Sequence, residues 1–207
     1  MGFVRPLYLA YNMRILDRLD PADSHYVTPS RSIQSENVNI ANLAKQLHEK
    51  SIQLGVPVVE VVHRWLATNL TYNKDALNDD LYVRMNNSAL SALQGRKCVC
   101  QGYTRLAVAL FRALSIPSGG MRCIAIQTIE ENRVGAVSMK ANHVFPIVWW
   151  NDRWMLMDPT WDSRNIYEHG YFSFGSDDGM SKYPFVYFDN TLEFFSSTHE
   201  FVGISAE

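Results

Sequence analysis

The hydrophobic pattern of this chain changes its period once, near Pro117, and that change limits the fold more than any other feature. Before Pro117, apolar residues recur at every third or fourth position, as they do on one face of an amphipathic helix. After it the alternation typical of strands appears, and two apolar runs flank Asn151-Asp152, which predicts a β-hairpin. Helices in the first part and strands in the second favour an α+β fold.

Four helices are predicted in the first part of the chain. The first covers about residues 39–54 and stops at Gly55, and the second begins at Pro57, because proline suits the first helical turn. A short helix over 88–94 and a longer one that follows Cys100 complete the set. The predicted strands cover residues 121–129, 143–150, 153–158 and 185–188.

Length and loop content indicate one folded domain with an N-terminal extension. A chain of 207 residues is close to the upper end of the common range for a single domain, about 100–200 residues. Residues 1–36 have weak periodicity and several turn formers, so we interpret them as an extended or loosely attached arm. Residues 37–207 form the predicted folded domain.

The balance of charge argues against a nucleic acid as the main partner. The chain carries 19 Lys and Arg against 21 Asp and Glu, so no strong positive field is expected. No stretch has the roughly 18–20 apolar residues that a membrane span needs, and the N terminus lacks the core of a signal peptide. We expect a soluble protein, either cytoplasmic or an extracellular domain whose leader has been removed. The sequence does not indicate an oligomeric state.

One of the three cysteines is a candidate nucleophile. Cys98 and Cys100 are too close in sequence for an unstrained disulfide, so we expect reduced thiols. Cys100 lies where a loop becomes a helix, and the positive end of a helix dipole favours a thiolate. A buried structural cysteine is the competing interpretation, because free cysteine often packs as a small apolar residue.

His143 and Asp158 can supply the other two groups that a cysteine nucleophile needs. An imidazole must hold the thiolate, and a third group must orient that imidazole. If residues 151–152 form a two-residue turn, Asp158 lies opposite Phe145, and His143 is two residues away on the same face. Diagonal neighbours of this kind stand about 7–8 Å apart at Cα, within reach of long side chains. The hairpin therefore permits a contact between His143 and Asp158.

Several segments resemble the transglutaminase-like superfamily, in particular its bacterial cysteine peptidase type. The run from Cys100 to Tyr103 matches the family pattern Cys-x-Gly-Tyr at the start of a helix, and His143 is followed by a hairpin and then by Asp-Pro-Thr-Trp-Asp over 158–162. The segments over 61–73 and 187–201 are similar to the family as well, so the resemblance extends from about residue 39 to 201. It implies a papain-like fold, with the nucleophile at a helix start and the helices packed on an antiparallel sheet.

The resemblance also implies a reaction. Cys100 would be the nucleophile, His143 the general base and acid, and Asp158 the residue that orients the imidazole, with residues 37–207 as the catalytic domain. The implied activity is acyl transfer from an amide of a peptide or of a glutamine side chain, through a thioester. We favour hydrolysis because water is the default acceptor, while a transamidating cross-linker and a non-catalytic binding or assembly module stay open as alternatives.

The expected partner is a protein or peptide substrate, and no cofactor or metal is expected, because the sequence contains no calcium-loop cluster of carboxylates. The default oxyanion donor is the backbone N–H of Cys100. The side chains that we consider for the oxyanion site or the substrate groove are Gln101, Tyr72, Tyr103 and Trp161. Four tryptophans crowd residues 149–161 and form either the core beneath the sheet or the walls of an acyl-substrate groove.

Other polar residues have plainer explanations. Cys98-x-Cys100 with His143 can ligate a metal, but this spacing without a second cysteine pair is a weak signal. Cys98 stands where the family usually has glycine, and we expect it to be dispensable. His199 is expected to be structural. Four further histidines are expected at the surface, namely His25, His48, His63 and His169.

Overall fold

The structure, a computed structural model, describes residues 6–78, 86–125, 141–168 and 185–205. Helices dominate its first half and an antiparallel sheet its second, so the predicted α+β class is confirmed. The described helices are α1 (Pro6–Leu16), α2 (Val38–Leu54), α3 (Val58–Asn69), α4 (Asp75–Asn78), α5 (Ala89–Gly95), α6 (Cys100–Ala113), α7 (Pro159–Glu168) and α8 (Leu192–Thr198). The described strands are β1 (Thr71–Tyr72), β2 (Lys97–Cys98), β3 (Ser118–Ala125), β4 (His143–Trp150), β5 (Arg153–Leu156) and β6 (His199–Ile204).

The predicted helix ends agree with the capping residues of the structure. The side chain of Asn37 accepts a hydrogen bond from the backbone N–H of Asn39 at the start of α2. Gly55 closes that helix in the left-handed conformation, with φ of 66°, which glycine adopts without steric cost. Ser88 caps α5 in the same way as Asn37 caps α2, through the N–H of Ser91. These ends were predictable because a cap involves only neighbouring residues.

The predicted hairpin and its register are confirmed. Trp150 pairs with Arg153 in the antiparallel β4–β5 ladder, and Asn151 and Asp152 have φ of 51° and 58°, as a tight two-residue turn requires. The four strands lie in the order β5-β4-β3-β6. The ladder ends at Leu156, so Asp158 leaves the sheet instead of continuing a strand.

Three strand predictions differ from the structure. The strand predicted over 153–158 ends at Leu156. The strand predicted over 185–188 is wrong, because this segment turns and forms an isolated bridge, between Met157 and Phe188, instead of a ladder. Strand β3 begins at Ser118, before the predicted start, and the predicted part beyond residue 125 lies outside the described residues. The strand β6 was not predicted and pairs with β3.

The core has two parts, one on each face of the sheet. Helices α2, α3, α5 and α6 pack against one face, where Val148 and Met155 contribute. Phe145 and Leu156 contribute to the other face, together with Phe195 of α8. Alternate residues of the hairpin therefore enter opposite cores, as the period of two in a strand requires. Trp154 belongs to the second core, and Trp149, Trp150 and Trp161 are partly buried against the two cores.

The described part of the N-terminal arm is helical over α1 and attached to the end of the chain, which the weak periodicity did not predict. Asn12 is fully buried, and its side-chain amide donates to Ser196 Oγ at 3.0 Å and to the carbonyl of His199 at 2.9 Å. Its Oδ1 accepts the N–H of Phe201 at 2.9 Å. A buried amide bonded in this way holds α1 against α8 and β6. A separate domain boundary at residue 36 stays a prediction.

One histidine expected at the surface is fully buried. His63 has no exposed surface, and its Nε2 lies 2.8 Å from Asp162 Oδ2, so the surface prediction for this residue is wrong. The apolar neighbours of His63 on α3 were the available signal, because they place it on a helix buried on several sides. His25 and His48 are exposed as predicted, and His169 lies outside the described residues. Among the described helices, none has the length and hydropathy to cross a membrane.

The close contact between Gly102 and Cys98 gives a stability prediction. A Cβ added at Gly102 would lie 2.5 Å from Cys98 Cβ and 2.8 Å from its sulfur. We expect Gly102→Ala to lower the free energy of unfolding by about 1–3 kcal/mol, although alanine favours helices. Gly95→Ala is the matched control, because no atom lies within 4 Å of its added Cβ. Urea denaturation of both variants measures the difference, and equal stability would contradict the close contact.

Candidate active site

Cys100 is the first residue of α6, directly after β2. Val99 before it is extended, with φ of −90° and ψ of 177°, and carries no side-chain cap. The first N–H groups of a helix have no acceptor within the helix and point outward at its N-terminal end. The half-buried Cys100 thiol therefore lies in a positive field, close to N–H groups that can bind an anion.

His143 begins β4 and contacts both of the other predicted site residues. Its Nε2 lies 2.6 Å from Asp158 Oδ2, and the Cys100 side chain lies close enough to its imidazole to raise the pKa of His143. The structure thus places Cys100 and Asp158 beside the same imidazole.

The charge of Asp158 controls the protonation of His143. Burial by itself lowers the pKa of His143, but the carboxylate of Asp158 and the hydrogen bonds to Asp158 and Cys100 outweigh it and raise the pKa to about 10. Burial also raises the pKa of Asp158, and the two imidazoles that donate to it hold that pKa well below its usual range. At neutral pH the pair is therefore an imidazolium and a carboxylate.

Asp158 accepts four hydrogen bonds from three parts of the fold. Its Oδ1 accepts the backbone N–H groups of Thr160 and Trp161, at 3.0 and 3.1 Å, and so caps α7. Its Oδ2 accepts from His143 and, at 3.2 Å, from Nε2 of His199. The sequence Asp-Pro-Thr carries a signal for this cap, because aspartate at the N-cap followed by proline is typical of a helix start.

His199 is buried beside the site, at the junction of α8 and β6. Its Nδ1 lies 2.8 Å from Thr198 Oγ1, and its ring lies 4.5 Å from the ring of Trp161, between centroids. Burial lowers the pKa of His199, and the hydrogen bond to Asp158 opposes that effect. His199 is predicted from the sequence only as a structural residue, and its contact with Asp158 has no sequence signal, because the two residues are far apart in the chain.

The four other predicted site residues differ in their exposure to solvent. Gln101 and Tyr72 are half-buried, as a residue in a groove would be. Trp161 is half-buried, and its ring lies 5.7 Å from that of His143. Tyr103 is fully buried, and its hydroxyl lies 2.9 Å from Ser163 Oγ, so it packs between α6 and α7 rather than in a groove.

The described residues also include a buried cluster that resembles a metal site. Ligand atoms of Cys123, His143 and His199 lie within 4.8 Å of one another. Burial raises the pKa of Cys123 well above its ordinary value, and both imidazoles already donate to Asp158. The Nε2 atoms of both imidazoles are bonded to Asp158, and Nδ1 of His199 lies 2.8 Å from Thr198 Oγ1, so hydrogen bonds to protein groups account for this cluster. Cys98, from the other predicted metal set, is buried against Gly102, and burial together with the nearby Cys100 raises its pKa to about 12.

The sequence matches a known family over the region that contains these residues. The model of the transglutaminase-like superfamily matches residues 42–159, which is more than half of the chain. The chain belongs to the transglutaminase-like superfamily. The match includes Cys100, His143 and Asp158 and ends directly after Asp158. No curated protein matches this transglutaminase-like chain.

Two solved structures are similar to the transglutaminase-like chain. One is a candidate cysteine protease from Cytophaga hutchinsonii, 23% identical, with a TM-score of 0.49; the match covers 70% of this chain and 44% of that protein. The other is a TGase, 16% identical, with a TM-score of 0.47; the match covers 86% of this chain and 41% of that protein. The chain spans less than half the length of either protein.

The raised pKa of His143 predicts how stability changes with pH. Ordinary histidine has a pKa near 6.5, so a folded value of about 10 stabilises the fold fully below about pH 6.5. That contribution is lost as the pH rises towards 10. We expect the melting temperature of a Cys100→Ala variant, in which no thiolate can balance the charge of His143, to fall between about pH 6.5 and 8.5, before the remaining thiols of the unfolded chain titrate.

Thermal melts across this range test the prediction. In the Cys100→Ala background, His143→Asn should remove most of the slope, and His48→Asn, which changes an exposed histidine, should leave it unchanged. A melting temperature of Cys100→Ala that is constant from pH 6.5 to 8.5 would show that His143 is not held as an imidazolium.

Proposed function

We propose that this chain is a cysteine-dependent acyl-transfer enzyme that cleaves amide bonds of a peptide or of a glutamine side chain. The observation that carries the proposal is the connection from the Cys100 thiol through the His143 imidazole to Asp158 Oδ2. Cys100 is the nucleophile, His143 is the acid and base, and Asp158 orients and charges the imidazole. A thiol beside an imidazole that is bonded to a fully buried carboxylate is costly to maintain in a protein that only binds.

In the proposed reaction, His143 carries every proton that moves. The Cys100 sulfur, as a thiolate beside the His143 imidazolium, attacks the carbonyl carbon of the amide. Negative charge on the carbonyl oxygen is stabilised by the N–H groups at the start of α6. His143 then gives its proton to the leaving nitrogen as the C–N bond breaks, and a thioester remains on Cys100.

The thioester is resolved by a second nucleophile. Water that loses a proton to His143 attacks the same carbon, and the C–S bond breaks, which releases the acid and restores the imidazolium–thiolate pair. An amine in place of water would give transamidation by the same steps. We favour hydrolysis, and the distinction is a matter of the products formed. A new carboxylate, from a glutamine converted to glutamate or from a new carboxyl terminus, indicates hydrolysis, and incorporation of a labelled primary amine indicates transamidation.

Thiol reactivity tests the proposal without knowledge of the substrate. We expect iodoacetamide to alkylate Cys100 at pH 6 at least about tenfold faster than it alkylates free cysteine, because a thiol beside an imidazolium at a helix start is more reactive than an isolated thiol. Exposure alone does not explain such a rate, so His143→Asn is the control, and it should reduce the rate to that of an ordinary thiol. If wild type and His143→Asn react equally slowly at pH 6, the non-catalytic alternative is favoured.

Substitution of the two neighbouring cysteines separates catalysis from packing. Cys100→Ala should abolish cleavage of glutamine-containing peptides, and Cys98→Ala should keep the rate within severalfold, because Cys98 packs against Gly102. Mass spectrometry of the peptide products measures both. Loss of cleavage in Cys98→Ala, with cleavage retained in Cys100→Ala, would show that Cys98 and not Cys100 is the nucleophile.

Asp158→Asn should leave a folded protein with little activity. Its side-chain oxygen can still cap α7, but the new NH₂ group faces the Nε2 atoms of His143 and His199, which donate to the carboxylate of the wild type. An imidazole that turns its Nε2 into an acceptor carries its proton on Nδ1, where it cannot take the thiol proton. We expect stability to fall by about 1–3 kcal/mol and the cleavage rate by about three to four orders of magnitude. A thermal melt paired with the peptide assay separates these effects, and a folded variant with full activity would remove Asp158 from the mechanism.

A further inference from the structure

We propose that His63 and Asp162 are positioning residues for the site, acting on Asp158 through the backbone of Tyr187. This inference rests on the proposed function of Cys100, His143 and Asp158. Neither residue belongs to the set predicted from the sequence. Both are buried, and their side chains form a second histidine–carboxylate pair one helical turn beyond Asp158.

Asp162 holds the segment that follows residue 185. Its Oδ1 accepts the backbone N–H of Val186 at 3.0 Å. The N–H of Tyr187 is shared between the two oxygens, at 3.2 Å from Oδ1 and 3.1 Å from Oδ2. The His63 Nε2 completes the set at 2.8 Å from Oδ2. The carboxylate therefore joins α3, α7 and the segment at residues 186–187.

Tyr187 passes this constraint to Asp158. Its carbonyl accepts the backbone N–H of Asp158 at 2.7 Å. The N–H of Tyr187 thus binds Asp162 while its C=O binds Asp158, and this residue fixes the turn that carries the Asp158 carboxylate. The Tyr187 ring also lies 5.0 Å from Trp161 and 5.9 Å from His199, edge to face in both cases. A displacement of Tyr187 would move Asp158 and the two rings beside it together.

The surroundings of His63 indicate that a histidine is needed there for its hydrogen bond to Asp162. Its ring lies between Phe185 and Phe188, at 5.2 and 5.0 Å, and its Nδ1 is a buried atom with no hydrogen-bond partner in the described structure. A leucine would fill such an apolar site without leaving a polar atom unpaired. The contact to Asp162 is thus what a histidine supplies here and an apolar residue does not.

The pH profile of Cys100 alkylation tests the proposal in two variants of His63. A glutamine side chain can place an amide N–H near the position of Nε2, and a leucine side chain cannot, so the comparison is between His63→Gln and His63→Leu. We expect His63→Leu to alkylate at least about tenfold more slowly at pH 6 but nearly normally at pH 9, where an unassisted thiol is ionised as well. His63→Gln should recover most of the rate at pH 6.

The control is Leu47→Ala, a cavity in the helical core on α2, which should lose stability and keep the pH profile of wild type. All rates are measured at a temperature where melting curves show each variant folded. If His63→Leu does not fold, His63→Asn replaces it, since the asparagine side chain is polar but too short to reach Asp162.

Each result decides between a positioning and a structural role. A folded His63→Leu or His63→Asn with the wild-type profile overturns the proposal, as does a control that shifts the profile equally. If His63→Gln also fails to fold, His63 serves folding and the proposal is wrong. If wild-type Cys100 itself lacks rapid alkylation at pH 6, the proposed function fails, and that result is distinguishable because it does not depend on His63.

Discussion

The region around the site depends on one buried charge, the carboxylate of Asp158. A carboxylate removed from water costs several kcal/mol unless hydrogen bonds replace its hydration. Here the N–H groups of Thr160 and Trp161 satisfy one oxygen, and the imidazoles of His143 and His199 satisfy the other. Because these donors belong to α7, β4 and β6, the charge is stable only when the three elements meet.

The position of Cys100 follows from the packing of α6 on the sheet. The side chain of Thr104, one turn into α6, donates to the carbonyl of Val144 at 3.0 Å, directly after His143 in β4. This hydrogen bond fixes the position of α6 along β4. The start of α6 therefore lies beside the start of β4, and the thiol meets the imidazole. The close contact of Gly102 with Cys98 at the same turn leaves no room for a side chain between α6 and β2.

Asp158 and Asp162 stand four residues apart, so they lie on one face of the same helical turn. Each binds a buried histidine and one or more backbone N–H groups. Asp158 faces the imidazoles of His143 and His199, and Asp162 faces α3 and the segment at residues 186–187. Hydrogen bonds from distant parts of the chain therefore hold both carboxylates at the first turn of α7. This turn is fixed in place, which suits a site whose imidazole must keep one orientation.

The sequence by itself was sufficient for elements whose signals are local. The ends of α2, the register of the β4–β5 hairpin and the helix start at Cys100 depend on caps, turn residues and periodicity within a few positions. The contact between His143 and Asp158 was also predicted, from hairpin parity, but Asp158 leaves the ladder after Leu156 and meets His143 from the start of α7.

Tertiary structure decided the features that depend on contacts between distant parts of the chain. Helix α1 is held by the buried Asn12, whose partners lie more than 180 residues away, and no periodicity records such a bond. His199 and His63 look like ordinary histidines in the sequence, and only the packing of β6 and α3 brings them to Asp158 and Asp162. Local patterns determine which segments become helices and strands. A charge, in contrast, can be buried only where the completed fold brings enough hydrogen-bond donors to it.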